Sequence, residues 1–64
     1  MKNNLKRLRE SKGLSQEKLG DNLGVSRQTI NSIENGRFDP SLTLAIKLTK
    51  FFDEPIESIF ELEN

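Results

Sequence analysis

Apolar residues recur along this chain at intervals of three and four, and glycines and prolines punctuate the runs. Leu5 and Leu8 lie three apart with Gly13 beyond them, which predicts a first helix over about 4–12. Leu19 and Leu23 lie four apart between Ser15, whose hydroxyl suits a helix start, and Gly24, which suits a helix end. A second helix therefore opens at Ser15 and runs to Leu23, and Val25 in the following turn is expected to point inward. Ser26 is another cap, and Ile30 and Ile33 form the inner stripe of a third helix that reaches about Asn35 and stops at Gly36. After a loop at 37–40 closed by Pro40, a fourth helix covers about 41–52. Pro55 then opens a short fifth helix to about Phe60. The tail ELEN carries no helical pattern and is expected to pair as a short strand with residues 1–3.

The expected architecture is thus all-α: a compact five-helix domain, with a short terminal strand pair, occupying 1–64 as one unit. Sixty-four residues support one core and no more. The fourth helix is apolar round more than one side, through Leu42, Leu44, Ala45, Ile46, Leu48, Phe51 and Phe52, where one core-facing stripe needs roughly half of these. That surplus on helices 4 and 5 (41–60) predicts a surface for a partner.

Residues 15–36, SQEKLGDNLGVSRQTINSIENG, carry the functional signal. Two short capped helices joined by a tight turn have the layout of a helix-turn-helix, whose second helix enters the DNA major groove and presents its N-terminal residues to base edges. The faces of helix 3 not used by Ile30 and Ile33 hold Arg27, Gln28, Asn31 and Ser32, which are the expected base readers. Arg27 suits guanine O6 and N7, Gln28 suits adenine N6 and N7, and Asn31 and Ser32 follow one turn further along. The Thr29 methyl packs on thymine or its hydroxyl takes a phosphate. Gln16 opens helix 2, where free N–H groups attract phosphate, and is expected to clamp one. Asn35 and Arg37 extend the grip on the DNA backbone, and Phe38 is expected to pack inward rather than lie against the sugar-phosphate wall. Arg9 and Glu34 are expected to form a structural ion pair if helix 1 crosses helix 3, with a second role for Arg9 beside a phosphate.

Charge sharpens this picture. The net charge is zero, but residues 1–37 hold eight Lys or Arg against four acids, a balance of +4, and residues 38–64 balance at −4. The half bearing the helix-turn-helix attracts phosphate and the other half is repelled by it. The chain has no Cys and no His, which removes disulfides, thiolate zinc sites, the usual general base and the commonest metal ligand. The reading is therefore of a non-enzyme without catalytic residues, metal, cofactor or small-molecule ligand. No signal peptide or membrane-length apolar run is visible, which predicts a cytoplasmic protein without a membrane partner.

LRESKGLSQEKLGDNLGVSRQTINSIENG and PSLTLAIKLTKFFDEPIESIF together resemble the Xre family, the small regulators built on the phage Cro and repressor helix-turn-helix. The resemblance runs from about Leu5 to Phe60 and is closest to the short members without a second domain. It implies a five-helix fold and a transcriptional repressor that binds a partly palindromic operator in double-stranded DNA as a homodimer. It assigns base reading to Arg27, Gln28, Asn31 and Ser32, phosphate contacts to Gln16, Thr29, Asn35 and Arg37, and a structural role to Arg9 with Glu34. It also places Phe51, Pro55, Ile56, Ile59 and Leu62 at the dimer seam. Three positions depart from the family pattern: Gly20 stands where Ala is usual, Thr49 where a small apolar residue is usual, and Asp53-Glu54 where Gly-Val is usual. The Thr49 hydroxyl is expected to bond the carbonyl four residues earlier. Two alternatives use the same surfaces, an antitoxin that neutralises a protein toxin and a protein-interaction adaptor working through helices 4 and 5.

Overall fold

Three of the helices begin where a serine hydroxyl satisfies a backbone donor that the helix itself leaves open. In the computed structural model, which describes residues 1–63, α1 spans Leu5–Ser11, α2 Gln16–Leu23, α3 Arg27–Glu34, α4 Leu42–Phe52 and α5 Ile56–Ile59. The Ser15, Ser26 and Ser41 hydroxyls accept from the backbone N–H three residues on, at 3.0, 3.1 and 3.1 Å, so three of the five starts are fixed by local chemistry. Gly24 ends α2 in the left-handed region at φ 76°, which a residue with a Cβ enters only at a cost. That turn swings α3 across α2, and Val25 tucks half-buried against the core.

The core lies where the inner stripes meet. Leu5, Leu19, Ile30, Ile33, Leu48 and Ile59 are essentially sealed from water, and Leu23, Leu44, Phe52 and Phe60 surround them. Two short strands tie the ends of the described chain: β1 (Lys2–Asn3) pairs antiparallel with β2 (Phe60–Glu61), with Lys2 opposite Glu61 and Asn3 opposite Phe60. The expected strand pair is present, but it starts at Phe60, one residue inside the segment read as helix 5, because burying the Phe60 ring directs the chain out of the helix. Of the tail ELEN, Asn64 lies outside the described residues. Asn3 and Asn4 reinforce the clasp: the Asn3 amide donates to the Ile33 carbonyl at 2.8 Å and the Asn4 amide to the Ser58 carbonyl at 3.0 Å. The Met1 α-amino group lies near Glu63 and Asp39, at 3.3 and 3.5 Å, and its hydrogen bond to Glu63 raises its pKa.

The departures from the family pattern have physical answers. Asp53 takes a left-handed conformation at φ 54°, so the turn after α4 keeps a glycine-like geometry with an acid in place of the glycine. Asp tolerates that region better than most residues. Thr49 Oγ1 donates to the Ile46 carbonyl at 2.7 Å, three residues back rather than the expected four. A Cβ on Gly20 would stand 2.5 Å from the Val25 carbonyl oxygen and 3.3 Å from the Ser26 carbonyl group. Alanine would gain about 1 kcal/mol of helix propensity, but crowding in a packed site costs roughly 1–3 kcal/mol and here falls on unyielding backbone. Gly20→Ala is expected to lower the melting temperature by several degrees, at about 4–8 °C per kcal/mol for a domain this small. A thermal melt in which the variant is the more stable protein would show that the crossing relaxes freely.

Candidate nucleic-acid interface

The outer face of α3 divides by exposure. Ser26 holds the helix start through its bond to the Thr29 N–H, and its hydroxyl also lies 3.0 Å from Thr29 Oγ1. Arg27 and Gln28 occupy the first turn, are exposed, and make no side-chain hydrogen bond among the described residues. They are long, adjacent and free to meet an incoming partner. Asn31 and Ser32, one turn on, are half-buried. Asn35 and Arg37 are exposed beyond the helix. Ser26, Gln28, Thr29, Ser32, Arg37 and Phe38 line one shallow concavity along this face, so the structure brings Gln28 and Ser32 together there with Thr29 and Arg37, while Arg27 and Asn31 do not line it.

Behind this face runs a polar network. Arg9 is 8% exposed and forks onto Glu34, with Nε donating to Oε2 at 2.6 Å and the guanidinium also donating to Oε1 at 3.2 Å. A third donor of Arg9 bonds the Leu14 carbonyl at 2.7 Å. The hydrogen bond to Glu34 raises the pKa of Arg9, already the most basic of side chains. The ion pair expected between α1 and α3 is therefore present. The second role for Arg9 beside a phosphate is corrected: its guanidinium is enclosed and its donors face inward. Gln16 is half-buried and donates from Nε2 to Glu34 Oε1 at 3.0 Å, while its own oxygen lies 3.5 Å from Asn31 Nδ2.

Two further placements differ from expectation. Phe38 is 49% exposed and sits at the edge of the concavity beside Arg37, so it belongs to the outer wall and not to the core. Ile59 is fully buried inside the protomer and has no surface to offer a second copy. Phe51 points to another side of α4 than the exposed Ile46. It packs half-buried on the core edge-on to Phe52, with Lys12 over its ring at 5.8 Å, roughly 140° around the helix from Ile46. Apart from Phe38, the large exposed apolar residues among the described ones are Leu42, Ile46 and Ile56, with Leu62 in the tail. Leu42 and Ile46 lie four apart on one stripe of α4, and Ile56 lines concavities with each of them. The i, i+4 spacing of Leu42 and Ile46 was a usable sequence signal for this face.

No helix among the described residues is long and apolar enough to cross a membrane. Among the described residues no His, Cys, Asp or Glu group is arranged to hold a metal ion. A helix-turn-helix family model matches residues 5–59. The chain is similar to an HTH-type transcriptional regulator of Methanocaldococcus jannaschii, 56% identical over 64 residues that cover 100% of this chain and 97% of the relative. It is 52% identical over 64 residues to the HTH-type transcriptional regulator YgzD of Bacillus subtilis, with 100% and 97% covered. A longer HTH-type transcriptional regulatory protein of Pyrococcus furiosus matches at 42% over 52 residues, 81% of this chain but 16% of that relative.

Proposed function

The chain belongs to the Xre-type helix-turn-helix family of DNA-binding transcriptional regulators, and on that footing we propose that it is a repressor acting as a homodimer on a partly palindromic operator. The observation that carries base reading is the first turn of α3, where Arg27 and Gln28 stand exposed and uncommitted on a helix whose other faces are packed. Arg27 reads guanine and Gln28 reads adenine, with Asn31 and Ser32 completing the contact. Gln16, Thr29, Asn35 and Arg37 hold the phosphates on either side, and Phe38 lies along the sugar wall. Repression follows from occupancy of a promoter, with no catalytic step, on the DNA of the cytoplasm.

The second copy is assigned to the face formed by Leu42, Ile46, Pro55 and Ile56. These side chains are exposed and contiguous, and Lys50 on one side faces outward beside the acids Asp53, Glu54 and Glu57. Packing this apolar patch on its own copy about a twofold axis is the isologous arrangement that a closed dimer uses. Two recognition helices about 34 Å apart then meet successive major grooves on one face of the duplex.

The experiment is a mobility shift with the purified chain on the duplex upstream of its own coding sequence, with sedimentation of the free protein alongside. A discrete complex and a dimer are expected. Ile56→Glu, which places a charge on exposed surface, is expected to yield a folded monomer whose affinity falls at least tenfold. A dimer unaffected by Ile56→Glu removes this face as the seam. Failure to retard any duplex at low salt removes the regulator reading itself.

A further inference from the structure

The network behind α3 has a direction, and the direction ends at a base reader. Glu34 has a side chain only 3% exposed, and its carboxylate accepts but does not donate hydrogen bonds. Arg9 supplies donors to both oxygens, and Gln16 supplies one more to Oε1. Gln16 must therefore turn its NH2 group towards Glu34, because its oxygen in that place would face a carboxylate oxygen at 3.0 Å. The Gln16 oxygen then faces Asn31, so Asn31 must present nitrogen to it, across the longer 3.5 Å gap. That leaves the Asn31 oxygen on the opposite side, where the Asn35 amide donates to it at 3.2 Å. Each amide is oriented by the one before it, and the orientation originates in a buried ion pair.

We infer that Gln16 is a specificity-determining positioning residue: it fixes which way round the Asn31 amide faces the major groove. This rests on the proposed reading of Asn31 as a base contact. An amide with one hydrogen committed to Gln16 and one lone pair committed to Asn35 still has one hydrogen and one lone pair for DNA. Adenine accepts at N7 and donates at N6, so a fixed amide matches it in one order along the groove and mismatches it in the other. An amide free to flip meets adenine on either strand. The relay therefore converts a contact that selects an A·T pair into one that distinguishes A·T from T·A. The charge on Glu34 polarises the chain and favours this single polarity. The remaining Gln16 hydrogen stays available to a phosphate, so one side chain serves affinity and orientation together.

The two roles separate by experiment, because losing a phosphate contact weakens all sequences alike whereas losing orientation acts at one position. Sites are selected from a random duplex pool with the parent chain, Gln16→Met and Asn31→Ala, and the Asn31 side-chain amide is followed by NMR in the free protein. Asn31→Ala is expected to erase base preference at one position per half-site. Gln16→Met is expected to keep an A·T preference there but reduce the A·T to T·A ratio from the roughly 5- to 150-fold of an oriented bidentate contact to within about threefold. It also makes the two Asn31 amide hydrogens exchange faster, with the preferences set by Arg27 and Gln28 retained. If Gln16→Met lowers affinity evenly and leaves that ratio intact, Gln16 is a phosphate contact only and the inference fails. It fails too if Asn31→Ala leaves the selected site unchanged. A parent chain that selects no sequence while its Asn31 amide remains protected places the fault in the DNA-binding reading, and the relay then orients nothing.

Discussion

Arg9→Ala is expected to remove a large share of this domain's stability. Arg9 is almost sealed from water and binds both Glu34 oxygens and the Leu14 carbonyl. Removing it leaves a carboxylate whose side chain is 3% exposed facing a cavity, with Gln16 as its remaining donor. Breaking a buried pair in this way costs about 3–5 kcal/mol. A chain of this length has a total stability of roughly 3–10 kcal/mol on the usual per-residue scale, so the loss is a large part of the whole. Circular dichroism against denaturant is the measurement, and a midpoint close to the parent's would overturn the expectation. The double variant Arg9→Met with Glu34→Leu is the informative companion. Replacing both charges with apolar side chains removes the desolvation penalty along with the attraction and is often neutral or stabilising. The double variant is therefore expected to melt well above Arg9→Ala. A double variant as unstable as the single would mean that α1 docks through the Leu14 carbonyl rather than through the ion pair.

Arg27→Ala combined with Gln28→Ala is expected to abolish discrimination while leaving the fold in place. Both side chains are exposed, so the stability should change by no more than about 1 kcal/mol for the pair. Each lost bidentate contact removes roughly 1–3 kcal/mol of preference for the correct base, and a dimer loses every contact twice. The proposed phosphate contacts through Gln16, Thr29, Asn35 and Arg37 are untouched by it, so the variant should still bind duplex weakly, with affinity that falls as salt rises. The measurement is competition between a selected operator and a scrambled duplex at two salt concentrations. The specific-to-scrambled ratio should collapse towards unity. A variant that retained the parent's ratio would move base reading elsewhere on the surface.

Features governed by neighbouring residues were legible in the chain, and features governed by distant ones were not. Ser15, Ser26 and Ser41 mark helix starts because each hydroxyl acts on a donor three residues away. The inner stripes of α2 and α3 follow from spacing alone, and so did the exposure of Arg27 and Gln28 opposite Ile30 and Ile33. The Arg9–Glu34 pair needed one further supposition, the crossing of α1 over α3. Phe38 was misplaced because a loop has no periodicity to say which way a ring turns. Ile59 and Ile56 look alike in sequence, yet one is sealed in the core and the other exposed, since a four-residue helix has too few positions to reveal its inner side. The contact from Gln16 to Glu34 joins two helices through amide geometry, which no spacing rule encodes.

The clasp between Lys2–Asn3 and Phe60–Glu61 bears on the order in which the molecule assembles. Joining these segments early would close a loop of nearly the entire chain, at an entropic cost near 3–4 kcal/mol before any constant term. Two residues per strand return little of that until α3 and α5 are in place to accept the Asn3 and Asn4 amides. α2 and α3, by contrast, meet across a turn of a few residues. α2 and α3 are therefore expected to assemble first, with the ends fastened last onto a helix pair that already exists; a folding rate slowed by core substitutions in α2 and α3 but not by Asn3→Ala is the result that checks it.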